Sequence, residues 1–183
     1  MPESNNHKFN HLKIHTQYSI CEGAIKIEKL KDFCKEKKIT CIGLSDTSNL
    51  CGALEFAESI SKVGTQPIIG TQINFKFEDT MGLLPLIALN EKGYKKIIEL
   101  SSRSYLENDA LSDPHLDIME LLLDTEGILL LSGTIQGLFG KLFEKGRLEE
   151  IAKLYKKLLS KFYDRFYLEI QRHEDQNEIA FEK

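Results

Sequence analysis

Hydrophobic and polar positions along this chain switch repeatedly between a period of two and a period near 3.6, so strands are expected to alternate with amphipathic helices. A strand is expected over Phe9 to His15, then a helix over about Ile25 to Lys37 carrying Ile27, Leu30, Phe33 and Cys34 on one face. Thr40 to Leu44 reads as a short apolar strand, followed by a helix carrying Leu50, Leu54, Phe56, Ala57 and Ile60. From Pro67 to Phe77 the residues Ile73, Phe75 and Phe77 alternate with Gln72, Asn74 and Lys76, which predicts a strand. A turn over Glu78 to Gly82 should lead back through a strand over Leu83 to Leu89.

Further along, Tyr94, Ile97, Ile98, Ser101 and Tyr105 mark the inner face of a helix over Glu91 to Tyr105, and a surface loop is expected to about Ser112. Asp113-Pro114 reads as a helix N-cap with proline in the first turn, which places His115 in that turn and leads into Ile118 to Leu123. Ile128 to Leu131 is expected as a buried strand. Ile151, Tyr155, Leu158 and Phe162 mark a helix over Leu148 to Phe162, Arg165 to Ile170 a last strand, and Glu174 to Lys183 the start of another helix. Alternation of this kind builds a parallel sheet or barrel, in which chemistry gathers where strands end.

Composition changes this picture little. The 183 residues suit one domain or a large part of one, and 42% hydrophobic with 28% charged residues is ordinary for a folded chain. A net charge of −4 leaves no basic footprint for nucleic acid. The lysines of the first helix are interspersed with Glu28, Asp32 and Glu36, as on a solvated face. Cys21, Cys34, Cys41 and Cys51 form no C-x-x-C pair and read as reduced, structural cysteines. Residues 1–8 form a polar tail without the apolar core of a secretory signal, and no run approaches the ~18 apolar residues of a membrane span, so a cytoplasmic location is expected.

The candidate chemistry begins in the first strand. Alternation puts His11, Lys13 and His15 on one face, where an imidazole in place of Lys13 would begin a metal centre. Lysine brings a fixed cation instead. This segment, together with Ser45-Asp46-Thr47-Ser48-Asn49-Leu50-Cys51-Gly52-Ala53, Gln66-Pro67-Ile68-Ile69-Gly70 and Leu130-Leu131-Ser132-Gly133, resembles the PHP (polymerase and histidinol phosphatase) family, in the form found at the amino terminus of bacterial replicative polymerase alpha subunits. Gly93-Tyr94 and Arg165-Phe166-Tyr167-Leu168-Glu169-Ile170 add to the resemblance.

The resemblance implies an α/β fold, a distorted (β/α)7 barrel incomplete at its carboxyl end, with residues 9–183 forming the amino-terminal part of a larger domain. Metal-binding members of the family hold a cluster, typically of three ions, with histidines and carboxylates, and hydrolyse phosphoesters. Carried onto this chain, the H-x-H pair falls on Lys13 and His15, the next acidic ligand on Glu22, and the Thr-Asp-His block on Ser45, Asp46 and Thr47. The later glutamate falls on Gln72, a histidine on about Leu83, and a cysteine or histidine on Thr134. Only His15, Glu22 and Asp46 keep donors suited to metal, too few for a multinuclear site.

A vestigial pocket is therefore expected, in which Lys13 pairs with Glu22 or Asp46. His11, His115 and His173 are expected as structural or surface residues. No catalysis and no cofactor are expected in this chain, which would act as a structural and docking module. The implied parent is a DNA-directed polymerase using magnesium, with its remaining domains, a proofreading exonuclease subunit and DNA as partners and no membrane. The alternative is a metal-dependent phosphoesterase or 3′–5′ exonuclease using zinc or manganese with a reduced ligand set.

Overall fold

The computed structural model describes residues 9–173 and 176–182. The expected polar tail, and the first residues of the expected last helix, lie outside them. Regular structure begins with α1 (Ile27–Lys37), which has Glu28 in its first turn and Lys35 and Lys37 in its last, charges that complement the helix dipole. It ends at Lys38, whose φ of 53° stops the helix in the left-handed region. Then follow β1 (Cys41–Thr47), α2 (Ala53–Ser61), the long β2 (Gln66–Phe77) and β3 (Thr80–Ala88).

The second half holds α3 (Glu91–Leu106), β4 (His115–Asp117), α4 (Ile118–Leu123), β5 (Ile128–Leu131), α5 (Leu138–Glu144) and α6 (Leu148–Phe162). A single 3-10 turn, β6 (Phe166–Tyr167) and α7 (Gln176–Glu182) complete the described chain. The strands form one mixed sheet in the order β1-β2-β3-β5-β6, with β4 pairing β2 beyond the end of β1. β1 and β4 run parallel to β2, β3 runs antiparallel to both β2 and β5, and β6 runs parallel to β5.

Two apolar clusters hold these layers. Ile73, Phe75, Leu84, Leu86, Ile97, Leu130, Leu154 and Phe162 belong to the larger one, between the sheet and α3 to α6. Ile27, Leu30, Ile42, Leu44, Phe56 and Ile60 join α1 and α2 to β1. The sheet is open: no strand pairs the outer side of β6 among the described residues. Arg165 fastens the approach to β6 by donating to the carbonyl oxygens of Thr125 and Ile128.

Several expectations need correction. The segment from Phe9 to His15 is not a regular strand. It runs beside β1 through three backbone hydrogen bonds, Gly43 N to His11 O, Ile14 N to Gly43 O and Ser45 N to Ile14 O, because Gly43 lacks the Cβ that would strike the Leu12 carbonyl. The turn between β2 and β3 is only Glu78-Asp79, a two-residue hairpin connection with Glu78 at φ 54° and Asp79 gripped by Arg147.

In α3 the buried row is Gly93, Ile97, Leu100, Ser101 and Ser104, while Ile98 and Tyr105 are exposed. Gly93 sets that rotation, since a Cβ there would overlap the Gly127 carbonyl. In α6 Leu154 is buried and Tyr155 half-exposed. His115 lies in β4 rather than in a helix turn, because Asp117 caps α4 by accepting from Met119 N at 2.8 Å. The predicted last strand shrinks to Phe166–Tyr167, and α5 was missed altogether. All four cysteines are free; Cys34 is buried and Cys41 partly buried, while Cys21 and Cys51 are exposed. No helix among the described residues is long and apolar enough to cross a membrane.

Candidate functional site

The segment before α1, the middle of β2 and β3, the loop after β5 and the segment after β6 surround a cavity of about 350 Å³. Lys13, His15, Glu22, Gln72, Leu83 and Thr134 line it, so the fold gathers six of the eight positions singled out in the sequence. Gln136, Gln171 and His173 also line it, and sequence reasoning assigned them no part in the site.

Lys13 extends from the edge segment beside β1 and meets Glu169, just past β6, at 3.0 Å. The two side chains are only 14% and 11% exposed. They come from opposite ends of the strand order, so the sheet must curl until its two edges approach each other beside the cavity. Glu169 is placed by its own N–H, which donates to Ser132 Oγ at 2.9 Å, and its Oε1 also accepts from Gln171 Nε2 at 3.0 Å. Lys13 therefore pairs with neither Glu22 nor Asp46. Both were nearer in sequence, and Glu169 was passed over because a lone acid in a short apolar strand gives only a weak signal.

Asp46 turns away to a separate task. Its fully buried carboxylate accepts from Thr16 N at 2.6 Å, Thr16 Oγ1 at 2.7 Å and Ser19 Oγ at 2.7 Å. Three neutral donors can satisfy a buried carboxylate without a cation. The clamp fixes the turn that delivers His15 on one side and Glu22 on the other. Thr47 continues the polar chain, donating to the Glu22 carboxylate and accepting from Gln72 Nε2 at 2.7 Å.

Burial, reinforced by the Lys13 ammonium, holds the His15 imidazole below its ordinary pKa, against the opposing pull of Glu22 and Asp46. His15 Nδ1 and Glu169 Oε2 are buried without a hydrogen-bond partner among the described residues. His11 lies outside the cavity, exposed and edge-on to the Phe9 ring at 4.8 Å. His173 lies at the cavity mouth, its Nδ1 2.9 Å from Glu178 Oε1.

A multinuclear metal centre does not fit this arrangement. Glu22 is held by Thr47, Asp46 by its clamp, and Lys13 lines the cavity beside His15, whose buried Nδ1 has no hydrogen-bond partner among the described residues. No group of three His, Cys, Asp or Glu side chains among the described residues is placed to hold a metal ion.

The sheet order and the position of this cavity define a class, and the sequence agrees with it: the model of the PHP domain matches residues 11–173, so the chain belongs to the PHP domain family. More narrowly, it is 35% identical to DNA polymerase III subunit alpha of Caulobacter vibrioides over 94% of its own length and 16% of that protein. The same subunit of Rickettsia conorii is 39% identical over 91% of this chain, and that of Borreliella burgdorferi 35% over 91%. The chain spans 14% and 15% of the length of those two relatives. Among solved structures, a protein described as a metal-dependent phosphoesterase from Bifidobacterium adolescentis superposes with a TM-score of 0.58 at 12% identity, covering 94% of this chain and 82% of that one. That likeness concerns the fold alone.

Proposed function

We propose that this chain is the amino-terminal PHP domain of a replicative DNA polymerase III alpha subunit, residues 9–183 being the first part of a larger domain, and that it serves as a structural and docking module without hydrolytic activity of its own. The positions Lys13, His15, Glu22, Asp46, Thr47, Gln72, Leu83 and Thr134 are then the remains of the family's metal site. One observation carries the reading: Lys13 lines the cavity and its ammonium pairs with Glu169 at 3.0 Å. An amine cannot ligate metal while protonated, and its charge opposes a nearby cation.

In this reading the parent protein is a cytoplasmic, magnesium-dependent nucleotidyltransferase that copies DNA, and its partners are its own remaining domains and a proofreading exonuclease subunit. The sequence likeness to the alpha subunits supports it. The competing reading, a phosphoesterase or 3′–5′ exonuclease using zinc or manganese, has in its favour the unpartnered His15 Nδ1 beside Glu22.

Elemental mass spectrometry of protein purified without chelator, run beside a phosphodiesterase assay with added manganese, separates the two. Metal well below one equivalent with no hydrolysis is expected. Two or more equivalents with chelator-sensitive hydrolysis, abolished by His15→Ala, would establish the competing reading.

A further inference from the structure

Between α4 and α6, sharing no residue with the Lys13 cavity, lies a groove of about 270 Å³ lined by Met119, Leu122, Leu123, Lys157, Ser160 and Lys161. Its floor is apolar and open, with Leu123 73% and Met119 48% exposed. No carboxylate lines it, although the chain as a whole carries a net charge of −4. The nearby Glu78 carboxylate takes Lys153 at 2.7 Å, and Lys157 and Lys161 enter no ion pair among the described residues. Lys157 is held in place instead, its ammonium 3.9 Å from the Met119 sulfur and 5.6 Å above the Phe77 ring.

We propose that this groove docks an acidic segment of another polypeptide, one that inserts a large apolar side chain between flanking Asp or Glu residues. The volume falls below the roughly 300–1,000 Å³ of small-molecule pockets and suits a single anchor side chain. An apolar floor flanked by the positioned Lys157 ammonium and by Lys161 is the complement of that pattern, since the anchor removes apolar surface from water while its carboxylates meet the lysines. Nucleic acid matches less well, because phosphates would use the two cations and leave Leu123 and Met119 uncovered.

The test titrates the isotopically labelled 183-residue chain with a synthetic peptide of leucines spaced along a glutamate helix, read by amide chemical shifts. Saturable shifts confined to Met119, Leu122, Leu123, Lys157, Ser160 and Lys161 are expected. Affinity should fall about tenfold in Lys157→Glu/Lys161→Glu, and again in Leu123→Ser, with unchanged circular dichroism.

Four outcomes would each overturn the proposal: shifts elsewhere or none; equal binding of the same peptide with lysine in place of glutamate; displacement from the same residues by a short single-stranded oligodeoxynucleotide, which would make this a general polyanion site; or groove shifts that depend on protein concentration alone, which would make the occupant a second copy.

Discussion

Lys13→Ala tests the central feature of the cavity. At 3.0 Å and an effective dielectric near 20, two unit charges attract by roughly 5 kcal/mol, most of it offset by the desolvation of both ions. Loss of the pair therefore registers mainly as the penalty of leaving Glu169 buried, with Gln171 as its remaining side-chain donor. That penalty is about 2–4 kcal/mol. For a chain of this size it corresponds to a fall in melting temperature of roughly 5–15 °C.

Thermal unfolding of Lys13→Ala, Glu169→Ala and the double variant closes a double-mutant cycle. The coupling should be at least about 1.5 kcal/mol, with the double variant less damaged than the sum of the single variants. A Lys13→Ala protein melting within about 1 °C of the parent, or a coupling below about 0.5 kcal/mol, would refute the reasoning. Either result would mean that the edges of the sheet are held together by packing alone.

Asp46→Ala should destabilise the fold by about 3 kcal/mol or more, because it strands Thr16 N–H and the Thr16 and Ser19 hydroxyls in a buried place; urea midpoints would report it, and a loss below about 1 kcal/mol would count against the clamp. His15 has a depressed pKa in the folded state, so below its ordinary value of 6.5 the unfolded chain binds more protons and stability drops as pH falls toward the folded pKa. His15→Gln should remove that component of the slope between neutral and mildly acidic pH. Gly43→Ala pushes a methyl group against the Leu12 carbonyl and should cost about 1–3 kcal/mol while shrinking the Lys13–Glu169 coupling in the cycle above; an intact coupling would show that Lys13 is positioned independently of β1.

The sequence by itself determined the alternation of strands and helices, the family, and six of the residues that line the cavity, because periodicity and short motifs are local and survive without knowledge of partners. α1, β2, β5 and α6 appear close to where their patterns place them. Tertiary structure alone decided the rest. The buried row of α3 depends on how closely Gly93 approaches Gly127, and the short β4 exists only because β2 extends past β1 and offers it an edge. The charge balance of the site was decided the same way. Lys13 had two carboxylates within reach along the sequence, yet Asp46 is consumed by Thr16 and Ser19 and Glu22 by Thr47. The partner it finds lies 156 residues away, because curling the sheet brings its first and last edges together and no local pattern encodes that distance.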